Sequence, residues 1–112
     1  MNITRSVNGE AAVFRLRGRL DSTTSPLLQS TVLPAIQDGP ARLALDFSGV
    51  EYVSSAGLRV LLMAAKQARA AGGGAALFGL SEPVREVFEI SGLTGVIPIS
   101  ADEAAAVRAL EG

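Results

Sequence analysis

The sequence predicts an α/β domain: a mixed sheet of four or five strands that opens with an antiparallel hairpin, and about four helices. Three observations predict it. From about residue 25 onward, short apolar runs alternate with stretches of helical period, and that alternation builds parallel strands joined by crossover helices. Asn8-Gly9 lies between two strand-like segments, and both positions of such a pair accept the positive φ of a tight hairpin turn. The chain has 112 residues, 48% hydrophobic and 19% charged, which is the size and balance of one packed domain spanning 1–112.

The elements follow in order. "ITRSVNGEAAVFRLRGRL" supplies the hairpin. In its second strand Ala12, Phe14 and Leu16 alternate with Val13, Arg15 and Arg17, so Phe14 and Leu16 are expected to face the core. The chain is expected to turn at Gly18 and reach Asp21. Ser25 before Pro26 reads as a helix start, a hydroxyl cap followed by proline at the first helical position. Leu27, Leu28, Val32 and Ile36 carry helical spacing, and Pro34 should kink that helix or end its regular part. "DGPAR" closes it with a loop.

"RLALDF" is expected as a buried strand and "SGVEYVSS" as the loop after it. A helix from about residue 56 to 71 comes next, stopped by the glycines of "AGGG", which can adopt left-handed φ. "AALFGL" reads as a strand. "SEPVREVFEISG" reads as a helix with Ser81 as cap, Glu82 in the first turn and Gly92 past the end. "GVIPIS" and "ADEAAAVRAL" give the last strand and the last helix.

Composition removes several classes of function. There is no cysteine, so no disulfide, which agrees with a reducing compartment. The polar start carrying Arg5 is unlike a signal peptide, and no apolar stretch reaches spanning length, so membrane insertion is not expected. The net charge is -1, Lys66 is the single lysine and there is no basic run. Nucleic-acid binding is not expected, because counterion release needs clustered cations and few aromatics are present for stacking.

Chemistry is excluded on similar grounds. Without histidine there is no Ser-His-Asp site, and without histidine or cysteine no soft-metal site is expected. Val53 stands where a nucleophile elbow around Ser55 would need glycine. Gly72, Gly73 and Gly74 lack a following Gly-Lys-Ser/Thr and end a helix instead of opening one, so they are not a phosphate loop. Asp21, Asp46 and Glu51 could meet on one loop surface, but they lack the spacing of a hard-cation site. No catalytic residue, metal or cofactor is expected, which points to a binding module and not an enzyme.

The stretch "VEYVSSAGLRVLL" carries the candidate site. At about 100° per residue, Leu58, Leu61, Leu62, Ala65 and the stem of Arg69 form a core stripe. Ala56, Val60, Met63 and Gln67 fall opposite, with Arg59 and Lys66 between. Val60 and Met63 exposed together would make a docking surface, unless another helix of the domain covers them. One of Ser54 and Ser55 is expected to cap the helix, a role worth about 1 kcal/mol. Capping leaves Ala56-Gly57 unexplained, since glycine in a helix costs stability and is tolerated where another backbone comes close. A small, hydroxyl-bearing helix start fits the active site of a protein kinase. Its free amides and dipole also favour the roughly -1.5 to -2 charges of a phosphoserine. The fold should tolerate that charge, whereas an acidic or tightly packed partner should not. A penalty of about 3 kcal/mol weakens binding roughly a hundredfold.

"LALDFSGVEY" followed by "VSSAGLRVLL", together with "GRLDSTTSPLL" near the start, resembles the STAS domain, and within it the anti-sigma factor antagonists. The resemblance covers essentially the whole chain. It implies a single STAS domain, with a mixed four- to five-stranded sheet and helices packed mainly on one side. It implies that Ser55 is a phosphoacceptor, that Gly57 and Leu58 match the family's Gly-Leu, and that Asp21 lies beside the acceptor and helps engage the kinase.

The implied partners are an anti-sigma factor serine kinase with a histidine-kinase-like ATPase fold and a metal-dependent serine phosphatase, in the cytoplasm. The unmodified form would bind the anti-sigma factor and free the sigma factor. The implied partner-binding surface comprises Asp21, Ser22, Thr23, Ser54, Ala56, Gly57, Leu58, Arg59, Val60 and Met63. Two positions depart from the family: Ser54 stands where Asp is frequent and Ala56 where a second serine is frequent, so Ser54 offers an alternative hydroxyl. The resemblance leaves open a STAS subunit of a lipid-transport or stressosome-like scaffold complex, which would dock through the same helix without a phosphate cycle.

Overall fold

Residues 1–111 are described by a computed structural model. The hairpin of β1 (Asn2–Asn8) and β2 (Ala11–Leu20) turns through Gly9, whose φ of +63° is the left-handed value its position requires. There follow α1 (Ser25–Gln37), β3 (Arg42–Val53), α2 (Ser55–Ala70), β4 (Gly74–Phe78), α3 (Glu82–Ser91), a 3-10 turn at Leu93–Gly95, β5 (Ile99–Ser100) and α4 (Glu103–Ala109). The sheet order is β1-β2-β3-β4-β5. β1 pairs antiparallel with β2, and the remaining strands are parallel. This is the mixed sheet expected from the alternation of elements.

The two-residue period of the strands sorts side chains into two layers. Phe14, Leu16, Leu43, Leu45, Phe47 and Leu77 face the large core, which Leu28 and Val32 of α1, Leu61 of α2 and Val84 and Phe88 of α3 complete. Phe47 and Phe88 meet edge to face, with centroids 5.9 Å apart at 77°. On the opposite face Val13, Ala44, Ala76 and Phe78 pack beneath Ala106 and Leu110. Three helices therefore cover one face, and α4 alone returns over part of the other. Val13, expected outward, is buried because α4 covers it. Asp102 caps α4 by accepting from the Ala105 amide at 2.9 Å.

Several boundaries differ from expectation. β2 does not turn at Gly18 but continues to Leu20, and the expected loop "SGVEYV" is the second half of β3. The two strands stay paired through register shifts between Arg15 and Arg17 and between Gly18 and Arg19. Gly49 sits at the first of these, where a Cβ would lie 2.8 Å from the Leu16 carbonyl oxygen. Glycine and serine there mark an irregular strand, not a loop.

Pro34 neither ends nor breaks α1; the helix runs to Gln37, and Asp38 N–H reaches the Pro34 carbonyl at 2.9 Å. Ser30 and Pro34 both lie on the exposed side, where solvent can serve the carbonyl left without its donor. Thr24, not Ser25, occupies the N-cap position, and the buried Ser25 hydroxyl instead donates to the Asp21 carbonyl. Ser81 and Gly92 stand at the two ends of α3 as expected, Gly92 in the left-handed region, though Ser81 makes no side-chain cap bond. The last strand shrinks to two residues because 93–95 wind into a 3-10 turn and Pro98 has no N–H for the ladder.

Candidate functional site

Leu20 and Val53 are the last paired residues of β2 and β3. The next residues, Asp21 and Ser54, therefore leave the sheet side by side at its carboxyl edge, where parallel α/β sheets place their sites. Ser54 N–H donates to the Leu20 carbonyl at 2.8 Å and ties the two exits together. Ser54 itself has extended backbone angles, and its hydroxyl accepts from Gly57 N–H at 3.4 Å. Leu58 N–H closes the first helical bond onto the Ser54 carbonyl at 3.0 Å. Ser54 is thus the cap of α2. Ser55 is the first helical residue, exposed at the positive end of a 16-residue helix.

The Asp21 exit is equally ordered. Its Oδ1 accepts from Thr23 N–H at 3.0 Å, from the Thr23 hydroxyl at 2.7 Å and from Thr24 N–H at 3.2 Å. The Thr24 hydroxyl accepts from Asp21 N–H at 2.9 Å and donates to the Arg19 carbonyl at 2.7 Å. The Thr23 hydroxyl, more than the two amides, holds the Asp21 carboxyl below its ordinary range, against partial desolvation that raises it. Thr24 was not singled out from the sequence; its position three residues after Asp21 is the available signal, the spacing of a side-chain-closed turn.

Two expectations about α2 are corrected. Gly57 is buried, and a Cβ there would sit 2.7 Å from Leu20 Cγ and 3.1 Å from the Leu20 carbonyl oxygen. The close approach that requires glycine is therefore the chain's own β2, not an incoming partner. Val60 is only 8% exposed, because α1 lies across that side of α2 with Val32, Leu33 and Ile36, and Met63 beside it is half-buried. Gly57 and Val60 offer no surface. The buried stripe is Gly57, Val60, Leu61, Ala64, Ala65 and Ala68, rotated from the predicted one because α2 is flanked by α1 as well as by the sheet. Leu58 and Leu62 are half-buried at its rim.

Of the remaining candidates, Ser22, Thr23, Ser55 and Arg59 are exposed, and Asp21, Ser54, Ala56 and Leu58 are half-buried. Asp21, Asp46 and Glu51 do not converge. Asp46 is taken by Arg15 at 3.3 Å and by Ser48 N–H at 2.9 Å. Among the described residues no three of His, Cys, Asp or Glu come together as a metal site. Nor is any described helix long and apolar enough to cross a membrane. The Gly72–Gly74 amides are all spent on the Arg69, Ala68 and Ala41 carbonyls, which leaves none to cradle a phosphate. What the edge offers is an accessible hydroxyl on a helix start, beside a rigid acidic loop.

The model of the family described as "STAS domain" matches residues 2–106. The chain belongs to the STAS domain family. Among relatives of this STAS domain, BtrV of Bordetella bronchiseptica, named as a candidate anti-sigma factor antagonist, is 38% identical over 96 residues, 86% of this chain and 83% of BtrV. The anti-sigma-B factor antagonist of Bacillus subtilis is 30% identical over 108 residues, 96% and 98% of the two chains. The solved structure of the anti-sigma factor antagonist SpoIIAA in its unphosphorylated form superposes with a TM-score of 0.80 at 26% identity, over 99% of this chain and 100% of that one. A Thermotoga maritima structure shares the fold at a TM-score of 0.90 and 20% identity, over 96% and 93%.

Proposed function

We propose that this STAS domain is an anti-sigma factor antagonist whose binding is switched by phosphorylation of Ser55. One observation carries the reading: the two adjacent serines have separate tasks. Ser54 is half-buried and committed to the cap, whereas Ser55 projects from the first turn into solvent. A kinase can take Ser55 without unmaking the helix start. The departure at position 54 is consistent with this, since Ser and Asp are near-equal N-caps and either one leaves its neighbour free. Ser54 is then not the acceptor.

The partner is an anti-sigma factor serine kinase with a histidine-kinase-like ATPase fold, met in the cytoplasm. The unmodified domain binds it and frees the sigma factor, and a metal-dependent serine phosphatase restores the binding form. The contact surface surrounds Ser55 and comprises Asp21, Ser22, Thr23, Ser54, Ala56, Leu58, Arg59 and Met63. The names of the relatives support this reading. So does SpoIIAA, solved also in its phosphorylated form and matched at a TM-score of 0.73 and 25% identity. A phosphate on Ser55 meets the positive helix end but also stands near the ionised Asp21, so the local field is close to balanced for the fold. Against a partner packed on this edge the same phosphate is uncompensated.

The test is incubation with an anti-sigma factor ATPase from the same organism, together with ATP, and location of any phosphate by mass spectrometry. Modification at Ser55 that persists in Ser54→Ala and vanishes in Ser55→Ala supports the reading. Stable ATPase binding with no transfer, or transfer to Ser54, refutes it.

A further inference from the structure

The face of the sheet opposite α1, α2 and α3 is only half covered. α4 shields Val13, Ala44, Ala76 and Phe78, and the strip along β1 and the distal half of β2 stays open. Leu16 and Leu20 point into the large core, so the two-residue period turns Arg17 and Arg19 onto the open strip. Arg15, one step earlier on the same face, is spoken for: it pairs with Glu103 at 2.8 Å and with Asp46 at 3.3 Å. Arg17 and Arg19 form no ion pair among the described residues. Arg19 instead lies over the Tyr52 ring, 4.3 Å from its centroid, and Tyr52 is 42% exposed. Asn2 and Thr4 border the arginines across the antiparallel ladder, opposite Arg17 and Arg15. Arg17 also lines an open groove of about 380 Å³ with Asn2, Thr4, Ser48, Gly49 and the ion pair of Arg15 with Asp46; Arg19 and Tyr52 lie outside it.

A chain with net charge -1 thus presents two guanidinium groups without an ion-pair partner, an aromatic ring beneath one of them, and hydrogen-bonding neighbours on an open strip where the Asp46 carboxylate is already paired with Arg15. We propose that this strip is a docking surface for an extended acidic segment of a partner protein, separate from the Ser55 edge. Charge complementarity identifies the occupant. Arg17 and Arg19 lie two residues apart on one strand, and their guanidinium forks suit the carboxylates of an extended peptide. Two free cations are too few to hold a polyanion such as nucleic acid at physiological salt. The strip also lacks the apolar anchors of a membrane-surface element. Glu51, next to Tyr52 in β3, bounds the strip and works against occupants that carry charge beyond the two arginines.

The test titrates the full isotope-labelled chain with a blocked, otherwise uncharged hexapeptide carrying two glutamates two residues apart and follows amide shifts by NMR. Shifts concentrated at Asn2, Thr4, Arg17, Arg19 and Tyr52 are expected, fading as sodium chloride rises from about 50 to about 500 mM. Arg17→Gln with Arg19→Gln should lower peptide affinity about tenfold and leave the melting temperature unchanged, because both side chains are exposed. Ser55→Asp should bind the peptide like wild type, so the fate of this proposal is independent of the Ser55 switch. Shifts centred elsewhere, or equal affinity in the double variant, overturn it. So does tighter binding to phosphatidylserine vesicles or to a single-stranded oligonucleotide than to the peptide, if that binding is lost in the double variant.

Discussion

Gly57→Ala separates the internal reason for a small residue at the start of α2 from the external one. The added methyl would lie 2.7 Å from Leu20 Cγ, 3.0 Å from Leu20 Cδ2 and 3.1 Å from the Leu20 carbonyl oxygen. Leu20 is fully buried at 0% exposure, so moving its side chain means displacing core neighbours. Overpacking of this kind costs about 1–3 kcal/mol. Replacing glycine by alanine in a helix returns at most about 1 kcal/mol, and less in the first turn. The net expectation is a loss of about 1–2 kcal/mol, or about 4–8 °C in Tm for a domain of this size.

Leu20→Ala removes Cγ and Cδ2 and alone costs about 2–5 kcal/mol. Once Leu20 is shortened, only the contact of the added methyl with the Leu20 carbonyl oxygen at 3.1 Å remains, so Gly57→Ala should cost much less and the pair should show a coupling of about 1 kcal/mol. Urea and thermal unfolding of the four proteins, followed by circular dichroism, measure it. Partner affinity of folded Gly57→Ala, measured well below its transition, should match wild type. Wild-type stability combined with lost affinity would refute the reasoning, because the missing side chain would then be making room for the partner.

Four further outcomes follow from the geometry. Ser54→Ala should cost about 0.5–1 kcal/mol by unfolding, the low end for a cap because its bond is long at 3.4 Å, whereas Ser55→Ala should cost nothing measurable. Ser55→Asp should unfold at or above the wild-type midpoint, by at most about 1 kcal/mol, while pull-down or calorimetry shows partner affinity falling about a hundredfold. Gly73→Ala should destabilise by about 3 kcal/mol or more, since its Cβ would overlap the Ala41 carbonyl and lie 2.8 Å from the Pro40 oxygen; Gly74→Ala, whose Cβ would meet only Leu110 at 3.6 Å, is the tolerated control in the same unfolding assay. The Asn8 amide first, and Arg15 second, hold the Glu103 carboxyl below its ordinary value, so it binds fewer protons folded than unfolded. Its stabilisation is present above the ordinary carboxylate range, about pH 4.3, and is lost as pH falls through the lower folded value, so Glu103→Gln should flatten the acid limb of a urea-midpoint profile below that range.

The order of elements was legible because each rests on local signals: the Asn8-Gly9 turn, the period of each helix, the glycine stop at Gly92. The second half of β3 was not, because Ser48 and Gly49 carry the composition of a loop. The reason for Gly49 is the Leu16 backbone, a residue more than thirty positions away. The rotation of α2 was misread for a similar cause. Helical period gives the width of an apolar stripe but not how many neighbours share it, and α1 claims Val60 on a side that the pattern alone leaves open. Gly57 was correctly marked as a place of close approach, and only the identity of the approaching group was out of reach. Which serine caps α2 was likewise undecidable locally, since both have capping side chains; the Ser54–Leu20 backbone bond settles it by fixing where the strand ends.

That bond makes Leu20 the residue through which fold and site depend on each other. Its carbonyl receives Ser54 N–H, its side chain fills the space beside Gly57, and its C-terminal neighbour is Asp21. Through one residue the sheet sets the direction of α2, the absence of a side chain at position 57 and the place of the acidic loop. Ser55 has no share in the cap: that bond is made by the Ser54 hydroxyl, and Ser55 is exposed. A charge added there changes what the edge presents without touching what positions the edge. The proposed phosphorylation switch would draw on that separation, because each cycle would otherwise have to overcome part of the domain's own stability.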